Sequence, residues 1–236
     1  MTQAQPLAPA YFVTGTDTEI GKTHASCCLL AAAARCGLRA AGMKPVAAGC
    51  EWLGGRWCNE DVERLLAASS LRLAPEVVNP YLFRAAIAPH IAAAQEGRSI
   101  EFSPILQALA QMRAAAEFVV VEGVGGFRVP LGAAGDSADL AVALGLPVIL
   151  VVGMRLGCIN HALLSLEAIA ARGLACAGWI ANRIDPAMPV YRENIAALTE
   201  RLDAPLIAEL PHANERIAAR PQLETWIRAQ LDPPRM

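Results

Sequence analysis

A glycine-containing segment near the N-terminus limits the folds open to this 236-residue chain more than any other feature. The run Tyr11-Phe-Val-Thr-Gly-Thr-Asp-Thr-Glu-Ile-Gly-Lys-Thr23 joins a short apolar strand to an alanine-rich helix. Backbone N–H groups of such a loop and of the first helical turn present partial positive charge to a phosphate. Lys22 would reach the β- and γ-phosphate oxygens, and the Thr23 hydroxyl would contact Mg²⁺. We therefore expect a nucleoside triphosphate site, with a loop one residue longer between Gly15 and Gly21 than the common G-x-x-x-x-G-K-[ST] spacing.

Composition and charge favour a globular enzyme of the cytoplasm. The length suits a single domain over residues 1–236 with a well-buried core. The formal net charge of −2 argues against binding of nucleic acid through a basic face. Residues 1–10 lack the basic start of a secretory signal, and apolar runs such as 146–152 are too short to span a membrane. The seven cysteines include no C-x-x-C pair, so we expect reduced thiols that pack as small apolar side chains. His24 and Cys28 are four residues apart, but without further ligands this spacing is more typical of packing than of a metal site.

Strand and helix patterns alternate along the chain, which predicts an α/β fold with a doubly wound, mostly parallel sheet flanked by helices. We expect strands at residues 11–14, 39–45, 118–122, 147–153, 175–182 and 205–209. Helices are expected at residues 22–36, 61–68, 100–116, 139–144, 159–172, 189–202 and 221–231. Ligands of such sheets bind beyond the carboxyl ends of the strands, where the polar motifs of this sequence lie.

Three charged residues are candidates for phosphate and metal chemistry. Lys44 lies at the carboxyl end of the second predicted strand. From the sequence alone, a surface lysine whose aliphatic stem packs on the protein is an equal alternative. Glu122 ends a strand where a Walker-B acid would help to hold magnesium, although a turn or helix-capping acid is also possible. Asp61 opens a predicted helix, where acids also occur because they interact favourably with the helix dipole.

The order of motifs along the chain resembles that of the dethiobiotin synthetases, ATP-dependent carboxylases of biotin biosynthesis. The resemblance reaches to about residue 211, and the longer phosphate loop is that family's own form. Besides the phosphate loop, it rests on Lys44-Pro45-Val46, Asn79-Pro80-Tyr81, Ala88-Pro89-His90, Val121-Glu122-Gly123, Leu156-Gly157-Cys158-Ile159-Asn160-His161 and Gly178-Trp179-Ile180-Ala181-Asn182.

The resemblance implies a P-loop NTPase-like ligase that uses ATP and Mg²⁺. It would carboxylate 7,8-diaminononanoate with CO2 through a carbamate and a carbamic-phosphoric anhydride, and close it to dethiobiotin. By the same resemblance the catalytic residues are Lys22 and Lys44, and the magnesium ligands are Thr23, Asp61 and Glu122. The nucleotide would contact Glu19, Ile20, Gly21, Lys22, Thr23, His24, Asp61, Glu122, Gly123, Val124, Gly125, Asn182, Arg183, Pro211, His212 and Ala213. The substrate would contact Thr18, Lys44, Gly157, Cys158 and Asn160, with segment 157–160 contributed across the interface of a homodimer.

Several features leave alternatives open. The run Asn182-Arg-Ile-Asp185 also resembles the Asn-Lys-x-Asp guanine motif, with arginine in place of lysine. Ala48 stands where the family usually has serine or threonine. Either a hydroxyl such as that of Thr18 substitutes, or the contact is dispensable, or the substrate differs. Segment 157–160 could also be an ordinary helix start capped by Asn160.

Other functions of the same superfamily remain as alternatives. A partitioning-type ATPase usually carries a second lysine early in its phosphate loop, and residues 15–20 contain none. An amide synthetase of the cobyrinate type usually has a glutamine-hydrolysing domain, for which the chain is too short. A pure binding module fits less well, because three candidate magnesium ligands and a second lysine exceed what binding requires.

Overall fold

The computed structural model describes residues 7–212 and 220–231, and these form alternating strands and helices. In chain order the strands are β1 (Ala10–Gly15), β2 (Ala40–Met43), β3 (Val46–Ala48), β4 (Glu51–Leu53), β5 (Arg56–Cys58), β6 (Tyr81–Phe83), β7 (Phe118–Glu122), β8 (Pro130–Gly132), β9 (Gly135–Asp136), β10 (Val148–Gly153), β11 (Cys176–Asn182) and β12 (Leu206–Leu210). The helices are α1 (Lys22–Arg35), α2 (Glu60–Ala68), α3 (Pro75–Val78), α4 (Pro89–Gln95), α5 (Phe102–Ala115), α6 (Ser137–Leu144), α7 (Cys158–Ala171), α8 (Tyr191–Arg201) and α9 (Arg220–Leu231).

A six-stranded sheet forms the centre of the molecule, in the order β12-β11-β10-β1-β7-β2. Each of its strand pairings is parallel. Strand β1 lies in the interior of the sheet, so that Phe12 is opposite Val148 on one side and Val121 on the other. The loop that follows β1 therefore lies at the middle of the sheet's carboxyl edge. This arrangement confirms the predicted doubly wound α/β fold.

Both faces of the sheet are buried, which explains why its strands read as continuous apolar runs. Successive side chains of a strand point to opposite faces of the sheet, so neighbouring residues of one strand pack in different cores. Phe12 and Val121 pack in the core on one face, and Val13 and Val120 pack in the core on the other. Helix α1 lies against the second core through buried residues such as Leu29.

The structure departs from the predicted strand at residues 39–45. Strand β2 stops at Met43, because Pro45 has no N–H to donate to a neighbour, and the backbone N–H of Lys44 donates to the Val78 carbonyl instead (2.8 Å). Strand β3 then pairs with β6 in a separate two-stranded sheet. The predicted strand 39–45 is therefore corrected to two short strands with Lys44 at the corner between them.

A hairpin of β4 and β5, which the sequence analysis missed, projects two tryptophans from the surface. Trp52 is 59% exposed and Trp57 is 42% exposed. Their ring centroids are 5.3 Å apart and their planes meet at 71°. The intervening Gly54 and Gly55 both have positive φ angles, as tight hairpin turns require.

Helix boundaries differ from the predictions by one or two residues at most ends. The difference that matters is at α2, which begins at Glu60 and is capped by Asn59, whereas Asp61 was expected to open the helix. All seven cysteines lie in the described part of the chain, and none is disulfide-bonded. Among the described residues, no helix is both long enough and apolar enough to span a membrane.

Candidate active site

A cavity of about 720 Å³ opens beside the phosphate loop at the carboxyl edge of the central sheet. Five parts of the chain form its walls: the loop with the start of α1, the corner at Lys44 with β3, the start of α2, the segment before α4, and the loop after β7. Its lining residues are Thr18, Glu19, Gly21, Lys22, Thr23, His24, Lys44, Ala47, Ala48, Asn59, Asp61, Arg64, Ala86, Ile87, Ala88, Pro89, Val124, Gly125 and Val129.

Asn182, the last residue of β11, supports the phosphate loop through a hydrogen bond to its backbone. The Asn182 Nδ2 donates to the Ile20 carbonyl at 2.8 Å. Gly21 has a φ of 85°, and a Cβ there would lie 2.0 Å from this Nδ2, so the position tolerates only glycine without rearrangement. Glu19 also has a positive φ, of 58°. A non-glycine residue in this region stores strain, which is common where a loop is shaped for a ligand.

Lys22 is held inside the loop by the backbone of Asp17. The Lys22 Nζ donates to the Asp17 carbonyl at 2.9 Å. The Asp17 carboxylate accepts from the Thr18 N–H at 2.8 Å and from Arg155 Nη2 at 2.6 Å. Burial, assisted by the positive charge of Lys44, lowers the pKa of Lys22 to about 8. A phosphate that replaced the carbonyl would therefore restore a favourable environment for the ammonium group.

A hydrogen-bonded cluster joins Thr23, Lys44 and Asp61, which line the cavity, to Glu122 beneath them. The Lys44 Nζ donates to Glu122 Oε1 at 2.6 Å and to Asp61 Oδ2 at 3.1 Å. The Thr23 Oγ1 is 2.7 Å from Asp61 Oδ1 and 2.8 Å from Glu122 Oε1. Lys44 and Glu122 are buried, with 3% and 0% exposure. Residues that are far apart in sequence thus converge beside the phosphate loop.

Opposite charges in this cluster outweigh the effect of burial. Burial alone would lower the pKa of Lys44, but the Glu122 and Asp61 carboxylates raise it above its ordinary value. Burial alone would raise the pKa of Asp61, but Lys44 and the hydrogen bond from Thr23 lower it. The cluster therefore holds Lys44 protonated and Asp61 ionised at neutral pH.

The oxygen atoms of the cluster fit a magnesium ion. Glu122 Oε2 is buried and has no hydrogen-bond partner among the described residues. The other oxygen of this carboxylate, Oε1, lies 2.8 Å from the Thr23 hydroxyl, which also contacts Asp61 Oδ1. Magnesium prefers such hard oxygen ligands and usually keeps several waters. Within the described residues no group of three or more His, Cys, Asp or Glu side chains could hold a metal, so Thr23 and water would have to complete the coordination.

The other pair considered as possible metal ligands, His24 and Cys28, is close in space. His24 Nε2 lies 3.9 Å from Cys28 Sγ. Burial, and after it the positive charge of Arg64, lowers the pKa of His24.

The described residues expected at the nucleotide base lie at two neighbouring strand ends, and they do not line the cavity themselves. Asn182 ends β11 and Arg183 follows it, and Pro211 and His212 follow the neighbouring strand β12. The Arg183 N–H donates to the Leu210 carbonyl at 3.0 Å, which joins the two strand ends. The remaining expected base contact, Ala213, lies outside the described residues.

The expected carboxylate site at the start of α7 faces outward. Gly157 is the N-cap residue with a φ of 91°, and no side chain caps the helix. Asn160 lies inside the first turn, so the alternative in which it caps the helix is wrong. Cys158 is buried, whereas Leu156 is 97% exposed. Segment 157–160 does not line the cavity.

Two polar residues of the cavity, Asn59 and Arg64, were missed from the sequence. The Asn59 Nδ2 donates to the Gly49 carbonyl at 2.6 Å, and its Oδ1 accepts from the Val62 N–H at 3.3 Å. Asn59 therefore ties the wall at Gly49 to the start of α2. An asparagine before an acidic helical turn is a capping signal that could have identified Asn59. No sequence motif identified Arg64 as a cavity residue, apart from its position three residues after Asp61.

Comparison with known sequences gives two matches that cover most of the chain. Residues 9–220 match the AAA_26 family, described as an AAA domain. An ATP-dependent dethiobiotin synthetase, BioD, from Aromatoleum aromaticum (strain DSM 19018 / LMG 30748 / EbN1) is 62% identical over 203 residues. The aligned part covers 86% of this chain and 90% of that protein.

Comparison with solved structures finds the same architecture in proteins of low sequence identity. The MinC:MinD cell division protein complex of Aquifex aeolicus matches with a TM-score of 0.59 at 14% identity, over 97% of this chain and 98% of that one. A ParA family ATPase from Chlorobium tepidum matches with a TM-score of 0.55 at 11% identity, over 97% and 93%. The septum site-determining protein MinD of Pyrococcus horikoshii, in complex with Mg-ADP, matches with a TM-score of 0.54 at 14% identity, over 96% and 90%. At these identities the matches show the fold alone.

Proposed function

The chain belongs to the dethiobiotin synthetase family, and on this basis we propose that it converts 7,8-diaminononanoate, CO2 and ATP into dethiobiotin, ADP and phosphate. The observation that carries the proposal is the position of Lys44. Its Nζ lies within 3.1 Å of both Asp61 and Glu122, beside the phosphate loop. A second buried cation at this point suits a reaction in which a carboxylated substrate meets the terminal phosphate of ATP.

The proposed reaction has three steps. One amine of the substrate attacks CO2 and loses a proton, which gives a carbamate. A carbamate oxygen then attacks the γ-phosphorus, and the bond to the β–γ bridging oxygen breaks to release ADP. Finally the second amine attacks the carbamate carbon of the mixed anhydride, phosphate leaves, and loss of the amine proton completes the cyclic urea.

The side chains around the cavity would serve this reaction mainly by positioning and by neutralising charge. Lys22 would move its hydrogen bond from the Asp17 carbonyl to a phosphate oxygen. Lys44 would stabilise the carbamate and the phosphoryl group during transfer. Thr23, Asp61 and Glu122 would hold Mg²⁺, which when bound would neutralise negative charge on the phosphates.

The family of this chain supports adenine over guanine as the base, and Asn182 has the groups to contact adenine. Its Nδ2 donates one hydrogen bond to the Ile20 carbonyl, which leaves one N–H to donate and Oδ1 to accept. The amide oxygen can accept from the exocyclic amine of adenine, and the second N–H can donate to the adjacent ring nitrogen. The alternative guanine motif lacks its lysine, and Arg183 donates instead to the Pro186 carbonyl at 2.9 Å.

The proposed enzyme is a cytoplasmic homodimer with shared active sites. The start of α7 offers N–H groups to an anion, but it does not line the cavity of its own subunit. Leu156 and Leu164, which flank this start, are 97% and 56% exposed. A second copy that covered these leucines could bring segment 157–160 to the substrate carboxylate at its partner's cavity.

Product analysis with isotope-labelled bicarbonate tests the proposed function. The protein is incubated with 7,8-diaminononanoate, ¹³C-bicarbonate, Mg²⁺ and each nucleoside triphosphate in turn, and the products are read by mass spectrometry. We expect ¹³C in the urea carbonyl of dethiobiotin, with ATP as the best nucleotide. ATP hydrolysis without any labelled product, under conditions in which the Aromatoleum relative makes dethiobiotin, would contradict the proposal.

A further inference from the structure

A cation that the proposed mechanism does not use lines the same cavity. Arg64 projects from α2, and it shares the cavity wall with His24, the first residue after Thr23. The lysines of the site are already engaged, Lys22 with a backbone carbonyl and Lys44 with two carboxylates. Arg64 therefore adds positive charge at a different point of the wall.

The backbone around Arg64 fixes where its side chain can reach. Asp61 and Arg64 are three residues apart on α2, so they lie on the same face of the helix. Side chains of a helix lean towards its N-terminus, which directs Arg64 towards the turn that carries Asp61. The Arg64 carbonyl accepts from Cys27 Sγ at 3.5 Å, which holds this part of α2 against α1. Burial, and after it the positive charge of Arg64, lowers the pKa of His24 in the first turn of α1, which is consistent with a guanidinium near that turn.

The protein makes little other use of the Arg64 guanidinium among the described residues. Its acidic neighbour is Glu60, at a distance of 3.7 Å, and the two side chains are 45% and 85% exposed. An exposed pair at this separation contributes little to stability. A guanidinium that is weakly paired, close to His24 and open to the cavity is available to a ligand.

We propose that Arg64 binds the polyphosphate chain of the nucleotide from the part of the cavity wall that it shares with His24. Arginine suits this role, because its planar fork can donate two hydrogen bonds to one phosphate group. The inference rests on the proposed use of ATP and adds a binding residue to it. Arg64 does not read the base, so its contribution is the same for every nucleoside triphosphate.

Binding of inorganic tripolyphosphate isolates this contribution from base and substrate. Isothermal titration calorimetry is run on the full-length protein, with Mg²⁺, for the wild type and for Arg64→Ala, Arg64→Gln and Arg64→Lys. We expect the Kd of tripolyphosphate to rise about tenfold in Arg64→Ala and Arg64→Gln, because a hydrogen bond to a charged group is lost. Arg64→Lys should recover part of the loss, and the difference should shrink at high salt.

Two control variants separate ligand binding from structural effects. Glu60→Ala removes the ion-pair partner but keeps the guanidinium, so tripolyphosphate binding should be unchanged. Arg201→Ala removes an arginine of α8 that pairs with Glu200 at 2.9 Å, and it should also have no effect. If Glu60→Ala reproduced the loss, Arg64 would act through the ion pair and the proposal would be wrong.

The steady-state constants show whether Arg64 binds the phosphates of the nucleotide or the carboxylate of the diamino acid. The KM for ATP should rise with the Kd of tripolyphosphate, while the KM for the diamino acid stays within about twofold of the wild type. An unchanged tripolyphosphate Kd with a raised KM for the diamino acid would assign Arg64 to the substrate carboxylate and overturn the proposal. Unchanged values of both would also overturn it. Tripolyphosphate binding needs no product, so this result stands apart from the failure or success of dethiobiotin formation.

Discussion

Lys44 has a structural role as well as its proposed catalytic one, because it lies between two carboxylates. Replacement by alanine leaves the fully buried Glu122 next to Asp61 without a cation. Breaking such a buried pair typically costs about 3–5 kcal/mol of unfolding free energy. We expect Lys44→Ala to lower kcat at least 100-fold, while the KM for ATP changes much less, since its charge matters most when carbamate and transition state form.

Urea unfolding and steady-state kinetics on the same preparation check both effects of Lys44→Ala. Lys44→Met serves as a matched variant, because it keeps a long stem but no charge. Nearly full turnover by either variant at saturating substrate would remove Lys44 from the catalytic residues.

Lys22 should make nucleotide binding depend on pH above neutrality. Its pKa is about 8 in the ligand-free protein, and the negative phosphates of ATP would raise it. Below pH 8 the ammonium is already protonated, so affinity should be nearly constant there. Above pH 8 the ligand must bind together with a proton, and affinity should fall about tenfold per pH unit.

Calorimetry with a non-hydrolysable ATP analogue in buffers of different ionisation enthalpy measures this proton uptake. Lys22→Arg is the matched control, because a guanidinium stays protonated throughout the range and its affinity should not fall. Equal proton uptake at pH 7 and pH 9 by the wild type would show that Lys22 does not titrate on binding.

At the scale of single elements, Asn59 connects the hairpin, the cavity wall and helix α2. Replacement by alanine removes the helix cap and the bond to Gly49, and we expect a loss of about 1 kcal/mol in unfolding free energy. The start of α2 would then be less fixed, so the Mg²⁺ concentration for half-maximal activity should rise severalfold. Asn194→Ala, on α8, removes a hydrogen bond to the Val190 carbonyl (2.8 Å) and should leave the Mg²⁺ requirement unchanged. The same Mg²⁺ requirement in Asn59→Ala and wild type would show that Asn59 does not position Asp61.

The elements that could be predicted from the sequence are those with long, regular patterns. The buried strands of the central sheet and the helices between them have the alternation that parallel sheets require, so their order along the chain was clear. Strands β3 and β6 have three residues each, which is too short for a period to be visible. The β4–β5 hairpin did carry a signal, because Gly54-Gly55 between two apolar runs is typical of a tight turn.

The parts of the site that carry a motif in the sequence were predictable, and those without one were not. Lys44, Asp61 and Glu122 were expected together, and in the structure Lys44 lies within hydrogen-bond distance of both carboxylates. Their functions remain predictions. Asn59 and Arg64 depend on the exact start and rotation of α2, which the sequence placed one residue too late.

At the scale of the whole molecule, the proposed shared site predicts complementation between two defective variants. Lys44→Ala would damage one part of the site, and Gly157→Val would damage the other, which comes from the second subunit. In a heterodimer one site carries both changes and the other carries neither. At a diamino acid concentration where each variant alone turns over slowly, we expect an equal mixture of the two to regain about a quarter of wild-type activity, because half of the dimers are mixed and each has one intact site.

The complementation assay needs proof that subunits exchange, which mass photometry or a tagged pull-down provides. A mixture of Lys44→Ala with Lys44→Met is the matched control and should stay inactive. If subunits exchange and the first mixture also stays inactive, the two residues do not meet across an interface. Raised KM for the diamino acid in Gly157→Val, with the KM for ATP unchanged, would be the independent sign of a substrate role.

The tryptophan hairpin gives this protein an optical reporter next to its cavity. Trp179 is fully buried and Trp226 packs against Tyr11, whereas Trp52 and Trp57 are exposed to solvent. Iodide should therefore quench the hairpin emission selectively. The hairpin leads through Cys58 directly into Asn59, which lines the cavity. We therefore expect nucleotide binding to change the hairpin emission, and stopped-flow fluorescence would measure the rate of that change without any attached dye.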